Sequence, residues 1–392
     1  MQLIRGKKLK QIFLDHWELF VKKHKKQIRS AIHKNVEKML ICGTEEAGFH
    51  LYQCPDCGVE KKVPHICKSR FCSSCGVAQT EKWIEQYTTL FANTIYRHMI
   101  FHPPSEFRPF FGLGKTPYYN MLYTTVNQTL KDWCQRKGFI PGIMSVMHTF
   151  GRDEKFTPHI HALMTSGGID ATHSKWVPSE YLPYPFFKKH FKDHFLENIQ
   201  KLWTNQQLDK IPEKLRFLFS AEYQQKIIQK LLTITWYVYI GEKLSNARFT
   251  VRYIGRYTKR PAIAESRITG YDGCSVTFNF VDHKTDKLTF HNLPAEEFIG
   301  KLIRHIPSEN FRIIRYGGFY ANRVRGELLP KVFAILNQDY RKAKQKLANL
   351  GSWWRQKIQQ FTKLDPLVCS VCLVPLRLIS VVYNTNAKDT YG

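Results

Sequence analysis

Two Cys-x2-Cys pairs lie near the N-terminus of this chain, Cys54 with Cys57 and, fourteen residues later, Cys72 with Cys75. Two thiolates separated by two residues fit the tight turn that directs both sulfurs at one ion. The spacing is close to that of a tetrahedral four-thiolate zinc site, and it therefore predicts that this region folds around zinc.

The same window contains four further potential ligands, Cys42, His50, His65 and Cys67, which are enough for a second zinc ion. Spacing alone does not show which ligands share which ion. The alternative for both sets is that the cysteines are buried free thiols that bind no metal. Near the C-terminus, Cys369 and Cys372 form a lone pair that is two ligands short of a tetrahedral site by itself. The pair either completes a zinc site with distant ligands or is a remnant knuckle, and we expect no zinc there.

The chain carries a large excess of positive charge, with 59 lysines and arginines against 32 acidic residues and a net charge of +27. Such a balance indicates a polyanionic partner. The longest apolar run, residues 231–240, is far shorter than the ~20 residues that span a bilayer. The N-terminus also lacks the apolar core of a signal peptide. We expect a protein of the cytoplasm, associated with the nucleoid, with no membrane partner.

A predicted hairpin carries two histidines in alternate positions. Two β-like runs, residues 143–150 and 159–165, flank a polar turn. Because residues i and i+2 of a strand share a face, His159 and His161 present two imidazoles side by side, as a divalent metal requires. The alternative is a chance pair of surface or core histidines.

The segment of residues 249–268 contains a second conspicuous pair, Tyr253 and Tyr257, which share a face if the segment is helical. Four basic residues accompany them and are predicted to contact the phosphates of a nucleic acid: Arg252, Arg256, Lys259 and Arg260. A tyrosine hydroxyl, with a free pKa of about 10, needs an activated target. A phosphodiester polarised by a metal at His159 and His161 would be such a target. The alternative is a buried aromatic pair.

The segment of residues 312–320 combines basic, aromatic and glycine residues, among them Arg315 and Tyr316. This composition suits close approach to a single nucleic-acid strand, whose bases can stack on aromatic rings. A solvated loop is the alternative interpretation.

The predicted order of elements is α+β, with a strand and a helix preceding the antiparallel hairpin. Six regions are predicted: a basic helical arm (1–40), a zinc-binding module (41–90), the first half of a catalytic core (91–170), a helical insertion (171–245), the tyrosine helix with the rest of the core (246–327), and a basic helical tail with the last cysteine pair (328–392).

These motifs together resemble the rolling-circle transposases of bacterial insertion sequences, the two-tyrosine branch of the His-hydrophobic-His (HUH) single-strand endonucleases. The resemblance covers nearly the whole chain. It is most specific in PHIHALMTSGG, residues 158–168, and in YIGRY followed by RPAIA, residues 253–264.

The resemblance implies a central antiparallel sheet with helices on one face and the tyrosine helix against the metal. It makes His159 and His161 ligands of Mg2+ or Mn2+, and Tyr253 and Tyr257 nucleophiles that leave a 5′-phosphotyrosine and a free 3′-hydroxyl. His148, on the preceding strand, is our first choice for the third ligand, and His102 is the second. Single-stranded or hairpin DNA at the element ends, and target DNA, would be the partners.

Two other functions remain open. A plasmid replication initiator or relaxase would use the same chemistry, although the cysteine-rich module favours the transposase. A non-catalytic, zinc-dependent nucleic-acid-binding protein would explain the cysteines and the charge, but not the histidine and tyrosine pairs. A histidine-triad hydrolase is excluded because residue 163 is leucine.

Overall fold

The computed structural model describes most of the chain. The described residues are 7–25, 28–113, 115–151, 155–205, 213–245, 251–252, 254–255, 261–282, 285–348, 355–356, 359 and 363–384. The helices are α1 (Lys8–His24), α2 (Ser30–Ile41), α3 (Ser73–Leu90), α4 (Arg108–Leu113), α5 (Lys115–Arg136), α6 (Tyr184–Thr204), α7 (Ala221–Thr233), α8 (Ala295–Ile303), α9 (Arg325–Ile335) and α10 (Tyr340–Ala348). The strands are β1 (Gly48–Gln53), β2 (Glu60–Pro64), β3 (Tyr96–His102), β4 (Ile140–Phe150), β5 (Phe156–Ile169), β6 (Trp176–Pro178), β7 (Tyr237–Leu244), β8 (Ile268–Tyr271), β9 (Ser275–Val281), β10 (Leu288–Pro294), β11 (Ile314–Gly318) and β12 (Arg377–Tyr383).

The central sheet has the strand order β11-β4-β5-β3-β7, with β6 paired to β5. All of its pairings are antiparallel. Strands β4 and β5 form the long predicted hairpin, and almost every one of their residues is buried. A strand buried on both faces needs apolar residues in consecutive positions, as these two have. The predicted α+β class is confirmed.

Helices cover both faces of this sheet. On one face, Met99 and Phe101 belong to a core that includes residues of α4, α5, α6 and α7. On the other face, Met144, Val146 and Leu163 belong to a core shared with α3, α9, Val251 and Ile254. The expectation of helices on one face was therefore wrong. The sequence could not show this, because α3 comes from the zinc-binding part of the chain.

A glycine closes the contact between β11 and β4. Gly318 has a φ of +56°, and a Cβ atom at this position would lie 1.6 Å from the carbonyl oxygen of Pro141. Only glycine adopts this left-handed conformation without a steric penalty and leaves the required space. Gly318 therefore fixes where β11 ends against the hairpin.

A second sheet, β10-β9-β8, packs with the N-terminal helices. The buried face of α1, including Phe13, Trp17 and Phe20, shares a core with Phe278 of β9 and with α8. The pattern of apolar residues in α1 thus serves packing, with the lysines on the opposite face. The buried residues of α1 are therefore part of a core that also contains Ala262, Ile263 and Ile306.

The third sheet, β12-β1-β2, joins the two ends of the described chain. Strand β12 pairs antiparallel with β1 from Gly48 opposite Tyr383 to Gln53 opposite Arg377. The tail was predicted to be helical, and α9 and α10 agree, but residues 377–383 form this strand. A short apolar segment of this kind is compatible with a helix or a strand, so periodicity did not identify the strand.

The predicted helical insertion also contains a strand. Helices α6 and α7 agree with the prediction, whereas Tyr237–Leu244 extends the central sheet beside β3. Val238 is buried between exposed Tyr237 and Tyr239, which is the two-residue period of a strand. A short apolar run is compatible with either structure, so the sequence did not separate them. Among the described residues, none of the helices has the length and apolar character of a membrane span.

Candidate metal centre and thiolate clusters

Three histidines meet on one face of the central sheet. His148 of β4 lies directly opposite His159 of β5, and His161 follows two residues later on the same face. One ring nitrogen from each lies within 4.8 Å of the other two, and all three side chains are buried. The structure thus brings together the predicted pair and the first choice for the third ligand.

Two neighbouring groups orient these rings. The Nδ1 atom of His161 lies 2.8 Å from Nε2 of His98, and Nδ1 of His159 lies 2.6 Å from the carbonyl oxygen of Thr157. The Nε2 atoms of His159 and His161 are 3.0 Å apart. A metal-binding imidazole commonly uses its second nitrogen in this way, which fixes the ring and its tautomer. Both histidines of β5 therefore have a partner that leaves Nε2 facing the cluster.

The sequence interpretation missed the role of His98. Its spacing carried the signal, because His98 and His102 are four residues apart on β3 and so share a face with the histidines of β5. His102, the second choice as third ligand, stacks on the His159 ring with centroids 4.8 Å apart. His98 and His102 thus flank the three clustered histidines.

Burial keeps these imidazoles neutral. It lowers the pKa of His159 to about 3 and that of His98 to about 4. The pKa values of His148 and His161 are lowered well below the ordinary range, first by burial and then by the neighbouring histidines. Because a metal binds the neutral imidazole, the cluster is in its ligand form at neutral pH.

The histidine face is covered by the residues that adjoin the predicted nucleophiles. Val251 and Ile254 are fully buried in the core that contains Val146 and Leu163. A Cβ atom on Gly255 would lie 3.1 Å from the side chains of Trp83 and Ile84, so this short helical segment is held closely against α3. Tyr253, Tyr257, Arg256, Lys259 and Arg260 lie outside the described residues.

The cysteine-rich part of the chain contributes a positively charged residue, Arg70, near the histidine cluster. Arg70, which lies between Cys67 and Cys72, donates a hydrogen bond of 3.4 Å to the carbonyl oxygen of His305. Its charge contributes to the lowered pKa of His148, and burial lowers the pKa of Arg70 itself to about 10. The zinc-binding part therefore places a guanidinium near the histidine cluster.

The other predicted DNA-contacting residues differ in their surroundings. The guanidinium of Arg315 lies 4.0 Å from the centre of the Tyr123 ring, and Tyr316 stacks on Tyr87 with centroids 5.2 Å apart. Contacts within the protein thus account for both positions. Arg252 is exposed to solvent.

Beside the histidines, the surface combines a cleft with exposed aromatic rings. A cleft of about 460 Å³ is bounded by His102, Arg108 and Tyr237, among others. Tyr237 and Tyr239 are 66% and 56% exposed, and they lie opposite His102 and Ile100 in the pairing of β7 with β3. They therefore stand on the histidine face of the sheet, at its outer strand.

Four cysteines form the first thiolate cluster, Cys42, Cys67, Cys72 and Cys75. The sulfur of Cys75 lies 3.5 Å from that of Cys42 and 3.6 Å from that of Cys67, and the sulfurs of Cys42 and Cys72 are 3.9 Å apart. A tetrahedral zinc ion with bonds of about 2.3 Å separates its sulfurs by about 3.8 Å, so this cluster fits zinc.

The structure groups the cysteines differently from the prediction, and the C-terminal pair is not alone. Cys54 and Cys57 form a cluster with Cys369 and Cys372 and not with Cys72 and Cys75. The four sulfurs of this second thiolate cluster all lie within 4.8 Å of one another. Strand β12 brings the C-terminal pair to β1, a contact between distant parts of the chain that spacing does not show.

The two remaining predicted ligands of this region pair with each other. Nε2 of His65 lies 3.1 Å from Nδ1 of His50, and neither is in the two cysteine clusters found among the described residues. All eight clustered thiols are free of disulfide bonds. The donors therefore fit zinc as two sets of four thiolates.

Comparisons with known proteins match the two halves of this architecture separately. Residues 12–102 match the family model described as "Transposase zinc-binding domain", and residues 142–327 match the one described as "Putative transposase". The chain thus joins a transposase zinc-binding domain to a transposase domain. The matched regions contain the first thiolate cluster and the hairpin with all three clustered histidines.

Two curated relatives span most of this transposase. The chain is 29% identical over 348 residues to the "Transposase for insertion sequence element IS801" of Pseudomonas savastanoi pv. phaseolicola, which covers 86% of this chain and 81% of the relative. It is 25% identical over 338 residues to the "Putative transposase y4qJ" of Sinorhizobium fredii, with 84% of each covered. No solved structure matches. The protein is thus a DNA-processing enzyme. The match to a zinc-binding domain and the cysteine clusters indicate that it binds zinc.

Proposed function

We propose that this transposase nicks and rejoins single-stranded DNA at the ends of an insertion sequence, by tyrosine attack on a metal-polarised phosphodiester. The observation that carries the proposal is the buried group of His148, His159 and His161, on the sheet face that Val251 and Ile254 cover. In the sequence, the proposed nucleophile Tyr253 lies between Val251 and Ile254, and Tyr257 follows three residues after Ile254.

The donor set supports a divalent ion that accepts nitrogen ligands. Three neutral imidazoles suit Mn2+ better than Mg2+, because Mg2+ prefers oxygen ligands. When bound, such an ion supplies Lewis-acid polarisation of the phosphate. His98 and the Thr157 carbonyl hold the two histidines of β5 in position. Arg70 adds positive charge near the place where the transition state gains negative charge.

The covalent step is an exchange of one phosphodiester for another. The phenol oxygen of Tyr253 or Tyr257 attacks phosphorus, and the bond from phosphorus to the 3′ oxygen breaks. The proton of the phenol is released and the departing oxygen becomes a 3′-hydroxyl, so the products are a 5′-phosphotyrosine and a free 3′ end. Because the ester bond is conserved, a 3′-hydroxyl of another strand can reverse the step. A second tyrosine lets one site hold two DNA ends.

The surface beside the histidines suits a single strand. Tyr237 and Tyr239 offer exposed rings on the histidine face, and stacking on aromatic rings is how proteins bind unpaired bases. The net charge of +27 attracts the phosphate backbone. The partners are single-stranded or hairpin-forming DNA at the element ends and the target DNA, and the place of action is the nucleoid.

A cleavage assay tests the proposal. Single-stranded oligonucleotides from the termini of the encoding element, labelled at either end, are incubated with Mn2+ or EDTA. We expect a metal-dependent protein-DNA adduct that carries the 3′-side fragment. It should be lost in the Tyr253→Phe/Tyr257→Phe double variant and in His159→Ala, and kept in Tyr181→Phe, a surface control.

Other outcomes discriminate among the alternatives. Tight DNA binding with no adduct, for any end sequence or metal, would make a zinc-dependent DNA-binding protein the better account. An adduct that forms only on a plasmid origin or transfer origin would indicate an initiator or relaxase.

A further inference from the structure

We infer that Cys54, Cys57, Cys369 and Cys372 bind a second structural zinc ion, which joins the C-terminal segment to the N-terminal zinc-binding domain. The family match that supports zinc ends at residue 102, so it includes only half of this ligand set. The other half comes from the opposite end of the described chain. This inference is independent of the proposed nuclease chemistry.

The sulfur positions fit one tetrahedral ion. The sulfurs of Cys57 and Cys369 are 3.7 Å apart, close to the value of about 3.8 Å that four zinc-sulfur bonds of about 2.3 Å impose. All four sulfurs lie within 4.8 Å of one another. Four protein ligands leave no open position, which is the arrangement of a structural rather than a catalytic zinc site.

The two cysteine pairs have the same backbone turn. The N–H of Cys54 donates to the carbonyl of Val59, and that of Gly58 donates to the carbonyl of Cys54, at 2.9 and 3.1 Å. In the second pair, the N–H of Cys369 donates to Val374 and that of Leu373 to Cys369, at the same two distances. Two turns with the same geometry face each other across the four sulfurs.

The fourth residue after each first cysteine completes this similarity. Gly58 and Leu373 both have positive φ angles, +74° and +60°. A leucine rarely adopts this conformation, and it persists only where the surroundings impose it. Leu373 is 76% exposed, so packing does not impose it. The N–H groups of Val371 and Cys372 point at the Cys369 sulfur, 3.4 and 3.5 Å away, as in a turn that presents a thiolate.

Within the part of the chain that the structure describes, few apolar contacts stabilise the C-terminal segment. Leu364, Val371, Leu378 and Ile379 are all more than half exposed, so residues 363–384 bury few apolar side chains. The segment is held by the pairing of β12 with β1 and by isolated polar contacts, such as the 2.8 Å bond from Lys61 to the Pro366 carbonyl. Segments with so small a core usually need a metal or disulfide to stay folded.

Thiolate-bound metal can be counted with Co2+. A Co2+ ion bound by thiolates has a sulfur-to-metal charge-transfer absorption band, and a Co2+ ion bound only by histidines does not, so the band counts thiolate sites alone. Full-length protein is stripped of metal and titrated with Co2+, then with Zn2+. We expect two thiolate-bound ions per chain in the wild type and in Cys274→Ser, a control cysteine outside both clusters. We expect one in Cys369→Ser/Cys372→Ser.

A second measurement reports on the segment itself. In the cysteine double variant, hydrogen exchange of β12 should accelerate by at least about tenfold, while β4 and β5 keep their protection. Cys372→His, which retains a ligand, should restore the second ion and shift its absorption. The inference is wrong if the wild type binds one thiolate-held ion, or if the double variant still binds two.

Discussion

At the scale of single residues, the histidine cluster depends on side chains that need not touch the metal. His98 contacts the second nitrogen of His161, and a hydrogen bond of this kind sets ring orientation and ligand basicity. His98 is therefore a positioning residue, and its loss should weaken metal binding while the three ligands remain.

Replacement of His98 tests this role. We expect His98→Ala to weaken Mn2+ binding by about 10- to 100-fold, which is the usual cost of removing such a partner. Calorimetric titration of the zinc-loaded protein measures this affinity. His98→Asn should restore part of it, because an amide can still form a hydrogen bond. His33→Ala, a half-buried histidine of α2, is the control. An unchanged affinity in His98→Ala would show that His161 needs no support.

At the scale of elements, the edge strand β7 defines one border of the site. Its alternation turns Val238 into the core and Tyr237 and Tyr239 towards solvent beside the histidines. Exposed aromatic rings stack on unpaired bases, so they should contribute to the binding of single-stranded DNA and little to the binding of duplex DNA.

The role of the Tyr237 and Tyr239 rings can be tested by DNA binding alone, without DNA cleavage. We expect Tyr237→Ala/Tyr239→Ala to weaken binding of a single-stranded oligonucleotide by at least about tenfold, because stacking contributes about 1–3 kcal/mol per base. Fluorescence anisotropy in EDTA measures binding alone. Tyr181→Ala removes a ring that is 74% exposed outside the sheet, and it should bind normally. Equal losses for duplex and single strand would argue against stacking.

Local patterns predicted most elements of the fold, but not their partners. The β4–β5 hairpin and the helix α5 that precedes it follow from periodicity within short windows, and the structure contains both. The grouping of Cys54 with Cys369 depends on β12 pairing with β1, which no local pattern encodes. For the same reason, the sequence identified His159 and His161 but left His148 and His102 as competing third ligands. The positions of Tyr253 and Tyr257 stay predictions, as do the six region boundaries.

At the scale of the whole molecule, charge governs the encounter with DNA. A net charge of +27 makes phosphate contacts the main source of affinity. With about six phosphates contacted, a slope of about −0.7 per phosphate predicts a roughly 300-fold loss of single-strand affinity from 50 to 200 mM salt. Anisotropy titrations at several salt concentrations measure the slope. A shorter oligonucleotide should give a shallower one. A slope near zero would mean that uncharged contacts dominate binding.

The pairing of β12 with β1 also has a consequence for protein synthesis. Strand β1 leaves the ribosome well before β12, because residues 54–376 are synthesised between the two strands. A domain whose contacts are all close in sequence can fold while it is being synthesised. In this sheet, one edge of β1 has no partner strand until β12 has been made. A transcript truncated before codon 369 would therefore yield a polypeptide with an unprotected strand edge and two unsatisfied thiols, which favours aggregation and degradation over partial activity.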